Sequence, residues 1–102
     1  MLGPRPEETL LDVGCGTGYF TRRFAADSKR QVTGLDIDCT WAGYAALHAA
    51  VNEAFVCGTA IELPFENGTF DLAISVAALC FVADQRRGIR EILRVTKRRF
   101  AI

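Results

Sequence analysis

A chain of 102 residues has room for one hydrophobic core and for no second folded domain. Half of its residues are hydrophobic, 24% are charged and the formal net charge is +0, which excludes disordered tails and fibres and leaves no global attraction toward nucleic acid or an anionic membrane. The four cysteines are scattered without a CxxC pair, and with a single histidine in the chain no metal site is predicted; the cysteines read as small buried residues of a reducing compartment.

Met1 to Thr9 lacks the apolar run of a signal peptide, and no later window approaches the roughly 18 apolar residues of a membrane span, so a cytoplasmic protein without a membrane partner is expected. Gly3-Pro4-Arg5-Pro6 predicts an extended lead-in, because proline fixes its own backbone and turns its predecessor away from helix. Thr9 to Val13 is a short apolar run ended by glycines, the pattern of a strand buried on both faces. A first helix is predicted over Thr17 to Ala26, with Phe20, Phe24 and Ala25 at helical spacing.

Gln31 to Ile37 predicts the second strand, and the alanine-rich Thr40 to Asn52 a second helix in which Trp41 and Tyr44 pack inward. A third strand is predicted over Ala54 to Cys57 and a fourth over Phe70 to Val76, the latter preceded by the Asn67-Gly68 turn signal. Asp84 caps a helix running to about Val95, with Ile89, Ile92 and Leu93 inward and Arg86, Arg90 and Arg94 on a solvated face, where Glu91 is available for side-chain pairing. Arg99 to Ile102 is then the fifth strand. Strands alternating with helices in this way imply a parallel sheet covered on both faces, a doubly wound α/β domain.

The most informative stretch is Leu10-Leu11-Asp12-Val13-Gly14-Cys15-Gly16-Thr17-Gly18-Tyr19-Phe20, a strand entering three alternate glycines and then a helix. Such a bend lets the backbone approach a ligand at the carboxyl end of a strand. Asp36, 22 positions after Gly14, stands at the end of the next strand, where an acidic side chain can accept hydrogen bonds from ribose hydroxyls. The dinucleotide fingerprint G-x-G-x-x-G needs a third glycine where this chain has Tyr19, so NAD or FAD is the weaker choice. His48 reads as a structural or solvated histidine; seven Lys and Arg residues fall between Arg86 and Arg99, but the helical spacing of Arg86, Arg90 and Arg94 suggests a solvated face rather than a phosphate-binding patch, with no nucleic-acid partner.

LLDVGCGTGYF, TGLDID and GTAIELPFENGTFDLAIS resemble, in order and spacing, the segments of class I S-adenosylmethionine-dependent methyltransferases, especially the small-molecule group related to the quinone-biosynthesis enzymes. The resemblance implies a three-layer Rossmann-like sheet, mostly parallel, of about five strands in the order 3-2-1-4-5, lacking the C-terminal hairpin of the seven-stranded fold. It further implies S-adenosylmethionine as cofactor, with Asp12 and the Gly14, Cys15, Gly16, Gly18 turn facing the methionine part, Asp36 holding the ribose and Ile37 against adenine. Relatives often carry an Asp-Ala pair at the adenine edge, where this chain has Thr59-Ala60, and Ser75-Val76-Ala77-Ala78 matches the segment beside the reactive methyl. No catalytic side chain is universal in the family, and the acceptor is expected to be a small molecule.

The resemblance also implies that residues 1–102 are one cofactor-binding core, a fragment of a longer enzyme or one that hides its fifth-strand edge by dimerising or exchanging elements. Two other functional classes stay open: a noncatalytic binding or assembly module on this fold, and, more weakly, a nicotinamide-dependent oxidoreductase.

Overall fold

Leu10, Leu11 and Val13 leave no side chain in need of water, and in the computed structural model they form the central strand, β1 (Leu10–Val13), buried along its whole length. The structure describes residues 9–16, 18–28, 31–75 and 84–101; the side chains of Phe20 and Phe24 and the expected lead-in lie outside what it describes. β1 pairs in parallel with β2 (Val32–Asp36) on one side and with β4 (Phe70–Ile74) on the other. β3 (Glu53–Cys57) extends the sheet beyond β2, and β5 (Thr96–Ala101) beyond β4, giving the order β3-β2-β1-β4-β5 with every pairing parallel. The expected order 3-2-1-4-5 is therefore the observed one.

Strand alternation divides the core in two. Leu10, Val32 and Leu72 meet Ala25 of α1 (Tyr19–Ser28) on one face. Leu11, Val13, Leu35 and Ala73 meet Ile92 and Val95 of α3 (Gln85–Val95) on the other, together with Leu63 and Phe70. Asp84 caps α3 as expected, its carboxylate accepting from Arg87 N–H at 3.1 Å.

Three expectations are corrected. The second helix, α2 (Cys39–Leu47), is shorter than predicted and buries only Ala42 and Ala45, while Trp41, Tyr44, Leu47 and, beyond its end, Val51 are exposed. Small residues face inward because β2 and β3 already present Phe55 there: a Cβ on Gly34 would lie 2.9 Å from that ring. Leu93 is exposed rather than inward, since Gly88, Ile92 and Val95 supply the buried stripe of α3. β5 begins at Thr96 rather than Arg99, in the residue that also closes α3, so helix and strand meet with no loop between them.

Arg94 takes up the expected pairing with Glu91 but departs from a solvated face. Its guanidinium pairs with Glu91 at 2.6 and 2.9 Å and donates to the carbonyls of Leu63 and Phe65 at 3.0 and 2.8 Å and to Asn67 Oδ1 at 3.0 Å. Glu91 in turn accepts from Leu63 N–H at 2.8 Å. The pair thus pins the 63–67 connection onto α3, and the hydrogen bonds from Arg94 hold the Glu91 carboxyl below its ordinary range.

Candidate functional site: a glycine bend closed by Asp36

Because all five strands run the same way, their carboxyl ends share one rim, and the predicted site residues gather there. Gly14, Gly16 and Gly18 have φ values of +82°, +56° and +92°, a region that costs other residues strain, so the bend after β1 depends on glycine. The bend folds back on β2: Gly14 and Cys15 N–H both donate to Leu35 O, at 2.7 and 2.9 Å, and Gly18 N–H donates to Cys15 O at 3.0 Å. Gly16 N–H donates to the Asp36 carboxylate at 2.8 Å, joining the two predicted halves of the site directly. The other Asp36 oxygen accepts from Asp38 N–H at 2.8 Å, and Asp38 caps α2 through Thr40 and Trp41 N–H.

The glycines differ in what they allow. A Cβ on Gly16 would meet nothing nearer than Trp41 Cε3 at 3.8 Å, so the backbone there is open to approach. A Cβ on Gly18 would lie 2.9 Å from Phe55 Cε1, so that glycine serves the close packing of α1 against the sheet. Gly34, inside β2, is glycine for the same reason, with Cys15 Cβ at 2.8 Å and Thr21 Oγ1 at 2.9 Å. Sequence reasoning passed over Gly34; a glycine within a strand was the available signal.

Asp12 lies beneath the bend, fully enclosed, and its carboxylate accepts from Thr21 Oγ1 at 2.7 Å. Burial pushes its pKa up to about 6, helped by the nearby Asp36 charge and opposed by the Thr21 hydrogen bond. Burial beside Asp12 and Asp36 likewise pushes the Cys15 thiol up to about 12, leaving it inert at neutral pH. Among the described residues no Lys or Arg pairs with Asp12, Asp36 or Asp38.

The remaining predicted residues complete the rim. Ser75, at the end of β4, is buried and donates its hydroxyl to Val13 O at 3.1 Å, tying β4 to β1; Val76-Ala77-Ala78 lies outside the described residues. Gly58 N–H donates to Asp36 O at 3.0 Å, which brings the segment after β3 beside β2. There Thr59 Oγ1 accepts from Ile61 N–H at 3.4 Å, and Ala60 is half-buried against the α3-side core. Ile37, next to Asp36, is 73% exposed. His48 closes α2 with its ring against Tyr44, away from the bend.

The cysteines do not all behave as expected. Cys15 is buried, but Cys39 and Cys57 are exposed and joined in a disulfide beside Ile37; Cys80 lies outside the described residues. Their separation of 18 residues carries no sequence motif, and only the folding of β3 against β2 brings them together.

The chemistry of this rim is specific. Every described N–H of the bend is engaged within the protein, and the Asp12 and Asp36 carboxylates lie against it, an arrangement hostile to a pyrophosphate and suited to a ligand with hydroxyls and positive charge. Residues 11–99 match the family model described as "Methyltransferase domain". The chain belongs to the S-adenosylmethionine-dependent methyltransferases.

It is 39% identical to 24-methylenesterol C-methyltransferase 3 of Arabidopsis thaliana over 91% of this chain and 27% of that protein. With the O-methyltransferase cnsE of Penicillium expansum it shares 33% identity over 94% of this chain and 37% of that protein. Among solved structures it is similar to the [4+2]-cyclase SpnF, with TM-score 0.87, 37% identity and coverage of 91% of this chain and 36% of that one. A Methanococcus maripaludis protein titled a putative S-adenosyl-L-methionine-dependent methyltransferase gives TM-score 0.84 at 25% identity, over 93% of this chain and 45% of that one. The chain spans 27% to 38% of the length of the curated methyltransferases it matches. The cofactor of this family is S-adenosylmethionine. Among the described residues no helix is long and apolar enough to cross a membrane.

Proposed function

We propose that this rim holds S-adenosylmethionine for methyl transfer to a small molecule, with Asp36 accepting the ribose hydroxyls, Ile37 against adenine, Thr59 at the adenine edge and Gly14 to Gly16 along the methionine part. The reading is carried by the 2.8 Å contact between Gly16 N–H and Asp36, which sets the carboxylate beside the stretch of bend that stands open. Each Asp36 oxygen accepts one backbone N–H and keeps acceptor capacity for a vicinal diol. When bound, the cofactor supplies a methyl group already activated by its positive sulfur, so no acid or base from the chain is needed to make it electrophilic.

What the chain contributes is position and field. Asp12 and Asp36 present negative potential to a cationic ligand, while Gly18, Ser75, Ala60 and the buried Cys15 side chain set the shape of the rim from behind. A Thr59 hydroxyl offers an exchangeable donor and acceptor in place of a carboxylate. Curated relatives include proteins named as C-, O- and N-methyltransferases, which supports a shared donor site and leaves the acceptor to parts of the parent protein that vary. We read residues 1–102 as one cofactor-binding core of a cytoplasmic enzyme, without a nucleic-acid partner. The outer edge of β5 is then the place where further strands of the parent, or a second copy, would pair. A second reading, ligand binding without methyl transfer, is favoured by one observation: the structure of SpnF, at 37% identity, is that of a cyclase.

Calorimetric titration with S-adenosylmethionine, S-adenosylhomocysteine and NAD separates these readings at the level of the ligand. The first two are expected to bind and NAD not, and Asp36→Ala to weaken binding by roughly tenfold to a hundredfold, the worth of charge-assisted hydrogen bonds. Equal binding by the variant sinks the assignment of Asp36. A radiolabelled methyl-transfer screen on the parent protein then decides between transfer and binding alone.

A further inference from the structure

Cys57 is the β3 partner of Asp36 in the sheet register, and Cys39 opens α2 three residues after Asp36. Both sulfurs lie against one carbonyl, that of Ile37, at 3.9 Å for Cys39 and 3.8 Å for Cys57. The link between them therefore straddles the Asp36–Ile37–Asp38 turn and joins the start of α2 to the end of β3. The Cα atoms stand 5.0 Å apart, within the range a disulfide spans, so the bond forms and opens without backbone rearrangement. Both residues are exposed, and exposed disulfides are the ones that thiols reach. Cys15 is buried, which confines exchange among the described cysteines to this pair.

We propose that Cys39 and Cys57 form a reversible thiol–disulfide modification site that sets cofactor affinity by clasping the turn that carries Asp36 and Ile37. The link to affinity rests on the reading of Asp36 as the ribose-holding carboxylate. Oxidation removes two electrons and two protons from the two thiols. A low-molecular-weight disulfide such as oxidised glutathione accepts them through a mixed-disulfide step and leaves as two thiols. In the reduced form each S–H can donate to Ile37 O, a weaker hold than a covalent link. α2 buries only Ala42 and Ala45, and apart from the disulfide the turn is held, among the described residues, by the hydrogen bonds of Asp36 and Asp38, so it gains mobility when the covalent clasp opens. The oxidised form has the turn ordered in advance and binds the cofactor more tightly.

The test equilibrates the full chain in reduced-to-oxidised glutathione buffers, maps each cysteine by alkylation and mass spectrometry, and titrates S-adenosylhomocysteine calorimetrically in the two end states. Cys39 and Cys57 are expected to convert together while Cys15 stays unmodified, and reduction to raise Kd by roughly threefold to tenfold, a modest ordering effect. Cys39→Ser and Cys57→Ser are expected to hold the reduced-state Kd in every buffer. A pair that stays in one state across all the buffers, or equal affinities in its two states, overturns the clasp alone. No binding in either state, with the pair still switching, overturns the cofactor reading and the clasp with it.

Discussion

Charge is handled in two opposite ways in this small sheet. Beside α3, Glu91 and Arg94 compensate one another and use their remaining hydrogen-bonding capacity on the 63–67 connection. At the glycine bend, Asp12, Asp36 and Asp38 are held only by backbone N–H groups and the Thr21 hydroxyl, with no cation among the described residues to balance them. The first cluster is complete when the chain folds. The second is left with surplus negative charge around an open stretch of backbone, and at buried Asp12 that charge costs the folded state. The contrast teaches where to look for function: the electrostatic deficit marks the place that a positively charged ligand finishes.

Three single substitutions, and one double, sharpen or break that contrast. The largest effect is expected for Gly18→Ala, which combines φ of +92° with a Cβ 2.9 Å from the Phe55 ring; a loss of about 3 kcal/mol in chemical denaturation is expected. A loss below about 1 kcal/mol would mean that the bend tolerates side chains and that its packing is not what requires glycine.

Asp12→Asn comes next. A carboxyl whose folded pKa is about 6, against an ordinary 3.8, binds its proton more tightly in the folded state. Its contribution is therefore most favourable below about pH 3.8, declines as the pH rises through 6 and remains a constant cost above that, of at most about 3 kcal/mol. The variant should be more stable than the parent at pH 7.5 by about 1 to 2 kcal/mol and should lose this pH dependence, while binding S-adenosylmethionine more weakly. Denaturation and calorimetry at pH 4.5, 6 and 7.5 check both halves. A variant no more stable than the parent and equal in affinity would remove Asp12 from the acidic rim as a functional group.

The smallest effect is expected for Arg94→Met. Its side chain is 31% exposed, so water replaces part of what is lost, and a drop of a few degrees in Tm is expected with cofactor affinity unchanged. Adding Glu91→Gln, which keeps an acceptor for Leu63 N–H, should recover some of that drop, because a carboxylate left without its cation costs more than a neutral amide there. Weakened cofactor binding in the single variant would show that the two charge clusters are coupled across the sheet.

Much of the site was legible because the signals were local. Glycines at alternate positions after an apolar run, and an aspartate closing the next strand, announce their geometry without any knowledge of what packs around them, and Asp36 meets Gly16 as that pattern requires. The parallel sheet followed from the regular alternation of elements, and its strand order from the resemblance. What escaped depended on partners distant in sequence. Trp41 and Tyr44 belong inside by their chemistry, but Phe55 fills that space and leaves room only for Ala42 and Ala45. Arg94 reads as one member of a basic face until the carbonyls of Leu63 and Phe65 come within reach. Cys39 and Cys57 are unremarkable until β3 lies against β2. The start of β5 was hidden because Lys97-Arg98-Arg99 has the composition of a solvated helix end, whereas pairing with β4 decides its conformation.

Trp41 is the one tryptophan of the chain, and its ring edge stands 3.8 Å from where a Gly16 Cβ would be, half in solvent. The protein thus contains its own optical probe, with no background from another indole. A molecule settling on the bend changes the polarity around that ring, so its emission intensity and wavelength follow occupancy in real time, at concentrations too dilute for heat measurements and without attaching a dye.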